Sequence, residues 1–125
     1  LCHEFGHESI VDISVENQKG ENILYVDTTE KTHPIADYIL VVSASNYIHI
    51  KSLVNAVLKF YKKNKGAALS ELDFRGVSGT PESNWMIIDF NDFLIHVMDK
   101  ELRDMYAFDQ LFERYNTLVY HGTAS

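Results

Sequence analysis

The stretch from Trp85 to Met98, WMIIDFNDFLIHVM, restricts the fold of this chain more than any other. Two apolar runs flank Asn91-Asp92. Asn and Asp tolerate the positive φ of a two-residue hairpin turn, so the stretch predicts a hairpin turning at those two residues. Phe90 then pairs with Phe93, Asp89 with Leu94, Ile87 with His96 and Trp85 with Met98. Side chains alternate along a strand, and directly paired residues share a face. One face carries Met86, Ile88, Phe90, Phe93, Ile95 and Val97, all apolar, and must be core. The other carries Trp85, Ile87, Asp89, Leu94, His96 and Met98. The two ionisable groups of the strands fall on that second face as diagonal neighbours, so a functional surface is expected there.

The chain of 125 residues is one domain, long enough to bury a core without disulfides or metal. Its single cysteine, Cys2, excludes an intramolecular disulfide framework and fits a reducing compartment. No apolar run approaches the roughly 18 residues of a membrane-spanning helix. The first residue is Leu1 rather than Met, from which an upstream segment, processed or trimmed away, is expected. The net charge of −7 argues against broad binding to phosphate backbones, which needs clustered Lys and Arg. Between Trp85 and Tyr115 seven acids face three bases, which favours a basic partner over a nucleic acid.

Read in order, residues 8–18 suggest a short helix ended by Gly20. Ile23–Asp27 reads as a strand and Thr28–Pro34 as a loop. Ile39-Leu40-Val41-Val42 is a near-continuous apolar run, expected of a strand covered on both faces. Ser43 to Asn46 offer helix caps. A helix to about Lys63 follows, with an apolar stripe at Ile50, Leu53, Val54, Val57, Leu58 and Tyr61, lysines at its end and Gly66 as its stop. Leu72–Val77 suggests a short strand and Ser78–Asn84 a loop. After the hairpin, Asp99 can cap a last helix over 100–115, with Leu102, Met105, Phe108, Leu111 and Phe112 on its apolar side. Residues 1–7 and 116–125 read as flexible ends. These elements predict a single compact α/β domain whose mixed sheet of about five strands has helices packed on it.

Catalytic motifs are weak. His3-Glu4-Phe5-Gly6-His7 matches the HExxH spacing that puts two imidazoles of a zinc protease on one helix face. The extended pattern is absent, since Ile10 and Ile13 stand where further Gly and His would, and Gly6 weakens the helix. Asp89 with His96 could form half of an acid–base pair, yet no nucleophile completes it. A metal-dependent nucleotidyl transferase would need Asp-x-Asp on a strand, and Asp89 and Asp92 are one residue too far apart. Neither a catalytic residue, a metal nor a cofactor is assigned.

The order Ala36-Asp37-Tyr38-Ile39-Leu40-Val41-Val42-Ser43-Ala44-Ser45, a helix, Gly76, the Trp85–Met98 stretch, Arg103-Asp104-Met105-Tyr106 and Leu111-Phe112 resembles the ribosomal silencing factor family (RsfS, also called Iojap-like). The resemblance covers about residues 8–113. It implies a nucleotidyltransferase-like topology without catalysis. It also implies docking on the large ribosomal subunit through its basic fourteenth protein, which would prevent subunit joining or assist late assembly. In mitochondrial members an LYR-motif protein and an acyl carrier protein are companions. The family-pattern residues here are Trp85, Met86, Asp89, His96, Arg103, Tyr106, Leu111 and Phe112, and they are the partner-binding candidates. Arg75 stands where an acid usually precedes the glycine, Asn91 at the usual turn glycine, and Phe112 at a usual tryptophan. Such departures suggest a divergent member, in the mitochondrial matrix rather than a bacterial cytoplasm.

Overall fold

The computed structural model describes residues 21–27, 38–63, 73–107, 110 and 116–120. Six strands form one mixed sheet: β1 (Glu21–Asp27), β2 (Tyr38–Ala44), β3 (Gly76–Thr80), β4 (Trp85–Asp89), β5 (Phe93–Asp99) and β6 (Asn116–Tyr120). Their spatial order is β3-β4-β5-β2-β1-β6. Only the central pair, β2 with β5, is parallel. Helix α1 (Tyr47–Lys63) leaves the end of β2, and helix α2 (Lys100–Met105) leaves the end of β5.

The hairpin has the register expected from its sequence. Trp85 faces Met98, Ile87 faces His96 and Asp89 faces Leu94. Asn91 takes φ 68° in the turn, and the Phe90 N–H closes it on the Phe93 carbonyl at 2.9 Å. Register follows because a slip of one residue would turn every apolar side chain of Ile88, Phe90, Phe93, Ile95 and Val97 out of the core.

That core lies between the sheet and α1. Ile50, Leu53, Val54 and Val57 of the helix pack on Leu40, Val42, Ile88, Phe90, Phe93, Ile95 and Val97. Burying each of these helix side chains stabilises by roughly 1.5–3 kcal/mol relative to exposure. Tyr25 stacks on Tyr38, with ring centroids 5.8 Å apart, and meets Phe93 edge-on. The N-terminus of α1 is capped by Asn46, whose Oδ1 accepts the His49 N–H at 3.0 Å, while His49 Nδ1 accepts the Ser45 N–H.

The opposite face of the sheet carries a second, smaller cluster. Leu24, Val26, Ile39, Val41 and Met98 are buried there, with Trp85, Leu94 and Leu102 packed against them. Residues 39–42 are therefore covered on both faces, as their unbroken apolar run predicts.

Three expectations need correction. The strand read over Leu72–Val77 is displaced to Gly76–Thr80, inside what reads as a loop. Pairing with β4 decides this, and no local preference of Gly-Val-Ser-Gly-Thr announces it. The last helix stops at Met105 rather than Tyr115. Ala107 adopts φ 47°, and the N–H groups of Tyr106 and Ala107 return to the carbonyls of Leu102 and Asp104, which ends the helix. Of the apolar side read for that helix, Leu102 packs on the second cluster, but Met105 is 72% exposed, whereas Arg103 is buried. Finally, Asn116–Tyr120, read within a flexible end, pairs antiparallel with β1 and makes a sixth strand. The proposed helix near 8–18, the His3–His7 motif, the loop at 28–34, Gly66, Phe108, Leu111 and Phe112 lie outside the described residues.

Candidate functional site

The second face of the hairpin builds a site around Trp85. Strand alternation places Trp85, Ile87 and His96 together on that face. The Trp85 Nε1–H donates to His96 Nδ1 at 3.2 Å, and the ring centroids lie 6.0 Å apart. An indole N–H can only donate, so Nδ1 is the bare nitrogen and the imidazole carries its proton on Nε2. Burial pushes the His96 imidazolium down to about 4, so the ring is neutral at pH 7.

Helix α2 completes the site from the side. Asp99 caps it, as its sequence position suggests, by accepting the Leu102 N–H at 3.0 Å. Arg103, 5% exposed, anchors the helix to the sheet, its Nη1 donating to Ser43 Oγ of β2 at 2.8 Å. The turn after Met105 then places Tyr106 against Trp85, centroids 6.5 Å apart. Tyr106 itself is 60% exposed. Ser78, Gly79, Ser83, Trp85, Ile87, Leu102 and Tyr106 line a groove of about 400 Å³.

The far wall of the groove depends on Gly79. Its φ is +82°, and a Cβ there would lie 2.3 Å from the Trp85 carbonyl oxygen. The next residues form one 3₁₀ turn, Pro81–Ser83, with Thr80 and Ser83 capping each other. Sequence reading passes over Ser78, Gly79 and Ser83. The Thr80-Pro81-x-Ser83 start signal was the available clue, since proline favours the first helical position and a hydroxyl three residues back caps it.

The structure brings Trp85, His96 and Tyr106 together. Met86 does not join them, because it packs with the first core on the opposite face. Asp89 lies on the right face, yet its Oδ1 accepts the Asn91 N–H at 2.7 Å and serves the turn. The expected Asp89–His96 pair is thus replaced by two separate contacts. Arg103 is interior, so it supports the site and does not present its charge to a partner. The face is also less open than its sequence suggests, since Met98 is buried. Glu82, Glu101 and Asp104 are exposed close in sequence to its lining residues, as is Lys100. Among the described residues no three His, Cys, Asp or Glu side chains gather to hold a metal ion. No described helix is long and apolar enough to cross a membrane.

An exposed aromatic over a groove is a feature that protein interfaces commonly use. Known proteins resemble this chain in fold and in sequence. The solved structure of a Chromobacterium violaceum protein superposes with a TM-score of 0.72 at 24% identity, over 86% of this chain and 84% of that one, and shows the same fold. The ribosomal silencing factor RsfS of Chromobacterium violaceum is 29% identical over 98 residues, 78% of this chain and 75% of the relative. The mouse protein named for mitochondrial assembly of the ribosomal large subunit is 27% identical over 75 residues, 60% of this chain and 32% of its own length. The sequence pattern of the family described as "ribosomal silencing factor during starvation" matches residues 7–123, and this chain belongs to that family.

Proposed function

We propose that this chain is a non-catalytic factor that docks on the large ribosomal subunit. Its Trp85–Tyr106 face meets the basic fourteenth ribosomal protein on the surface that receives the small subunit. The bound factor then prevents subunit joining by occupying that surface, and in an organelle it accompanies late assembly of the large subunit. The observation that carries this reading is Tyr106, exposed at the groove, with the exposed carboxylates of Glu82, Glu101 and Asp104 close to the lining residues in sequence. Aromatic anchors of this kind dominate interface energies, and the carboxylates suit a basic partner. The names of the bacterial and mouse relatives support the ribosome as the setting.

We place the chain in the mitochondrial matrix, with the bacterial cytoplasm as the alternative, because Arg75, Asn91 and Phe112 depart from the family pattern. An LYR-motif protein and an acyl carrier protein are its expected companions there.

Co-sedimentation with purified large subunits, small subunits and joined ribosomes tests the reading. Binding to the large subunit alone is expected, and Tyr106→Ala should weaken it about 5- to 30-fold, as loss of 1–2 kcal/mol at an aromatic anchor implies. Unchanged binding by Tyr106→Ala and by a folded Trp85→Ala would refute the docking face. Equal binding to joined ribosomes would refute the blocking mechanism.

A further inference from the structure

Charge in this chain is segregated in a way its total conceals. Residues 38–70 contain five lysines (Lys51, Lys59, Lys62, Lys63 and Lys65) and no acid, which leaves the rest of the chain at −12 against a total of −7. Four of the five lie on α1, where Lys51, Lys59, Lys62 and Lys63 are all exposed. At 100° per residue these four fall within one 120° sector, opposite the buried sector of Ile50, Leu53, Val54 and Val57. Among the described residues none of the four is in an ion pair; those pairs are Arg75 with Asp73 and Lys100 with Glu21. The C-terminal dipole of the helix favours cations at its end, which accounts for Lys62 and Lys63. It does not account for Lys51 and Lys59, or for a helix of 17 residues without one acid.

An aromatic corner lies at the C-terminal end of α1. Phe74, 40% exposed, rests on Tyr61 with centroids 5.9 Å apart and on Phe90 at 5.7 Å. Tyr61 lies toward the buried side of α1, and Arg75, next to Phe74, is paired with Asp73. An exposed lysine face and a solvent-facing aromatic ring at the same end of the helix supply what an unpaired nucleic-acid strand requires: cations for its phosphates and a plane on which a base can stack. An acidic protein would also engage the lysines, and the variants below separate the two.

We propose that the outer face of α1, with Phe74 at its end, binds a single-stranded segment of RNA. This is a second surface, on the side of the sheet opposite Trp85. The choice of RNA over other nucleic acids rests on the large-subunit reading; the test below uses no ribosome, so either proposal can fail without the other.

Fluorescence anisotropy with a labelled ten-nucleotide oligouridine measures the binding. Neutralising three or four phosphates on a single strand gives a log–log salt slope near −2.5, so affinity should fall about thirty-fold between 50 and 200 mM salt. The triple variant Lys59→Glu, Lys62→Glu, Lys63→Glu should weaken binding at least tenfold. Lys100→Glu, on the other side of the sheet, should leave it unchanged. Phe74→Leu, which keeps the apolar contact and removes the stacking plane, should weaken it severalfold. No binding at 50 mM salt, or no response to the triple variant, overturns the proposal. Polyglutamate binding as tightly as the RNA, with Phe74→Leu without effect, overturns it in favour of an acidic protein partner.

Discussion

Acidification should destabilise this protein through His96, by an amount that its burial sets. The imidazole titrates near 6.5 when unfolded and at about 4 in the fold. Its folded value is depressed, so between those limits the unfolded chain binds the extra proton. Stability is therefore intact above about pH 6.5 and falls as the pH drops toward 4. The linkage relation gives a loss of about 2 kcal/mol at pH 5 and about 3 kcal/mol at pH 4 from this one group. The geometry explains the direction independently. Protonated Nδ1 would donate toward the Trp85 Nε1–H, so two donors would face each other across 3.2 Å. Urea denaturation at pH 7 and pH 5 measures the effect, for wild type and for His96→Asn, whose amide oxygen can accept the indole proton without titrating. With an m value near 2 kcal/mol per molar, wild type should lose about 1 M more of its midpoint than the variant does. All other titrating groups are common to both proteins and cancel. Trp85 is the sole tryptophan, so its emission reports the same contact directly. Equal losses in the two proteins, with emission constant from pH 7 to 5, would refute the burial argument.

Other consequences can be measured in the same way. Ser43→Ala removes a hydrogen bond to a buried guanidinium and should cost about 2 kcal/mol in urea denaturation, although it deletes only one oxygen. Gly79→Ala puts a Cβ on the Trp85 carbonyl at a φ of +82°, and should lower stability by about 2 kcal/mol or more while disturbing the β3–β4 amide signals in an NMR spectrum. Leu53→Ala, at a fully buried site under α1, should cost about 2–5 kcal/mol by thermal or chemical unfolding. Tyr106→Ala, by contrast, should leave stability within about 0.5 kcal/mol of wild type, because its ring is mostly in solvent. A binding defect in that variant therefore reports contact with a partner and not unfolding.

Much of the fold was legible in short windows of sequence. Asn91-Asp92 between two alternating runs specified the hairpin, its turn and its register, because turn chemistry and side-chain alternation act over a few residues. The 3–4 spacing from Ile50 to Val57 specified α1 and its buried face for the same reason. Asp99 as a helix cap and Trp85 with His96 on one face also followed from local rules. The family pattern added Tyr106, whose proximity to Trp85 no spacing rule supplies.

Only the tertiary structure decided the rest. Gly76–Thr80 is a strand because β4 offers it hydrogen-bonding partners, and Asn116–Tyr120 is one because β1 does, from nearly 90 residues away in the chain. Arg103 is buried where Ser43, 60 residues earlier, accepts its hydrogen bond, so a side chain that composition assigns to the surface holds the site from within. Asp89 and His96 share a face, yet the turn takes one and the tryptophan the other. For the two strands and Arg103, hydrogen bonds to other segments of the chain decide what local preference leaves open. A polar group pays heavily for burial without a partner, so which partner it meets is settled by the packing of the whole sheet.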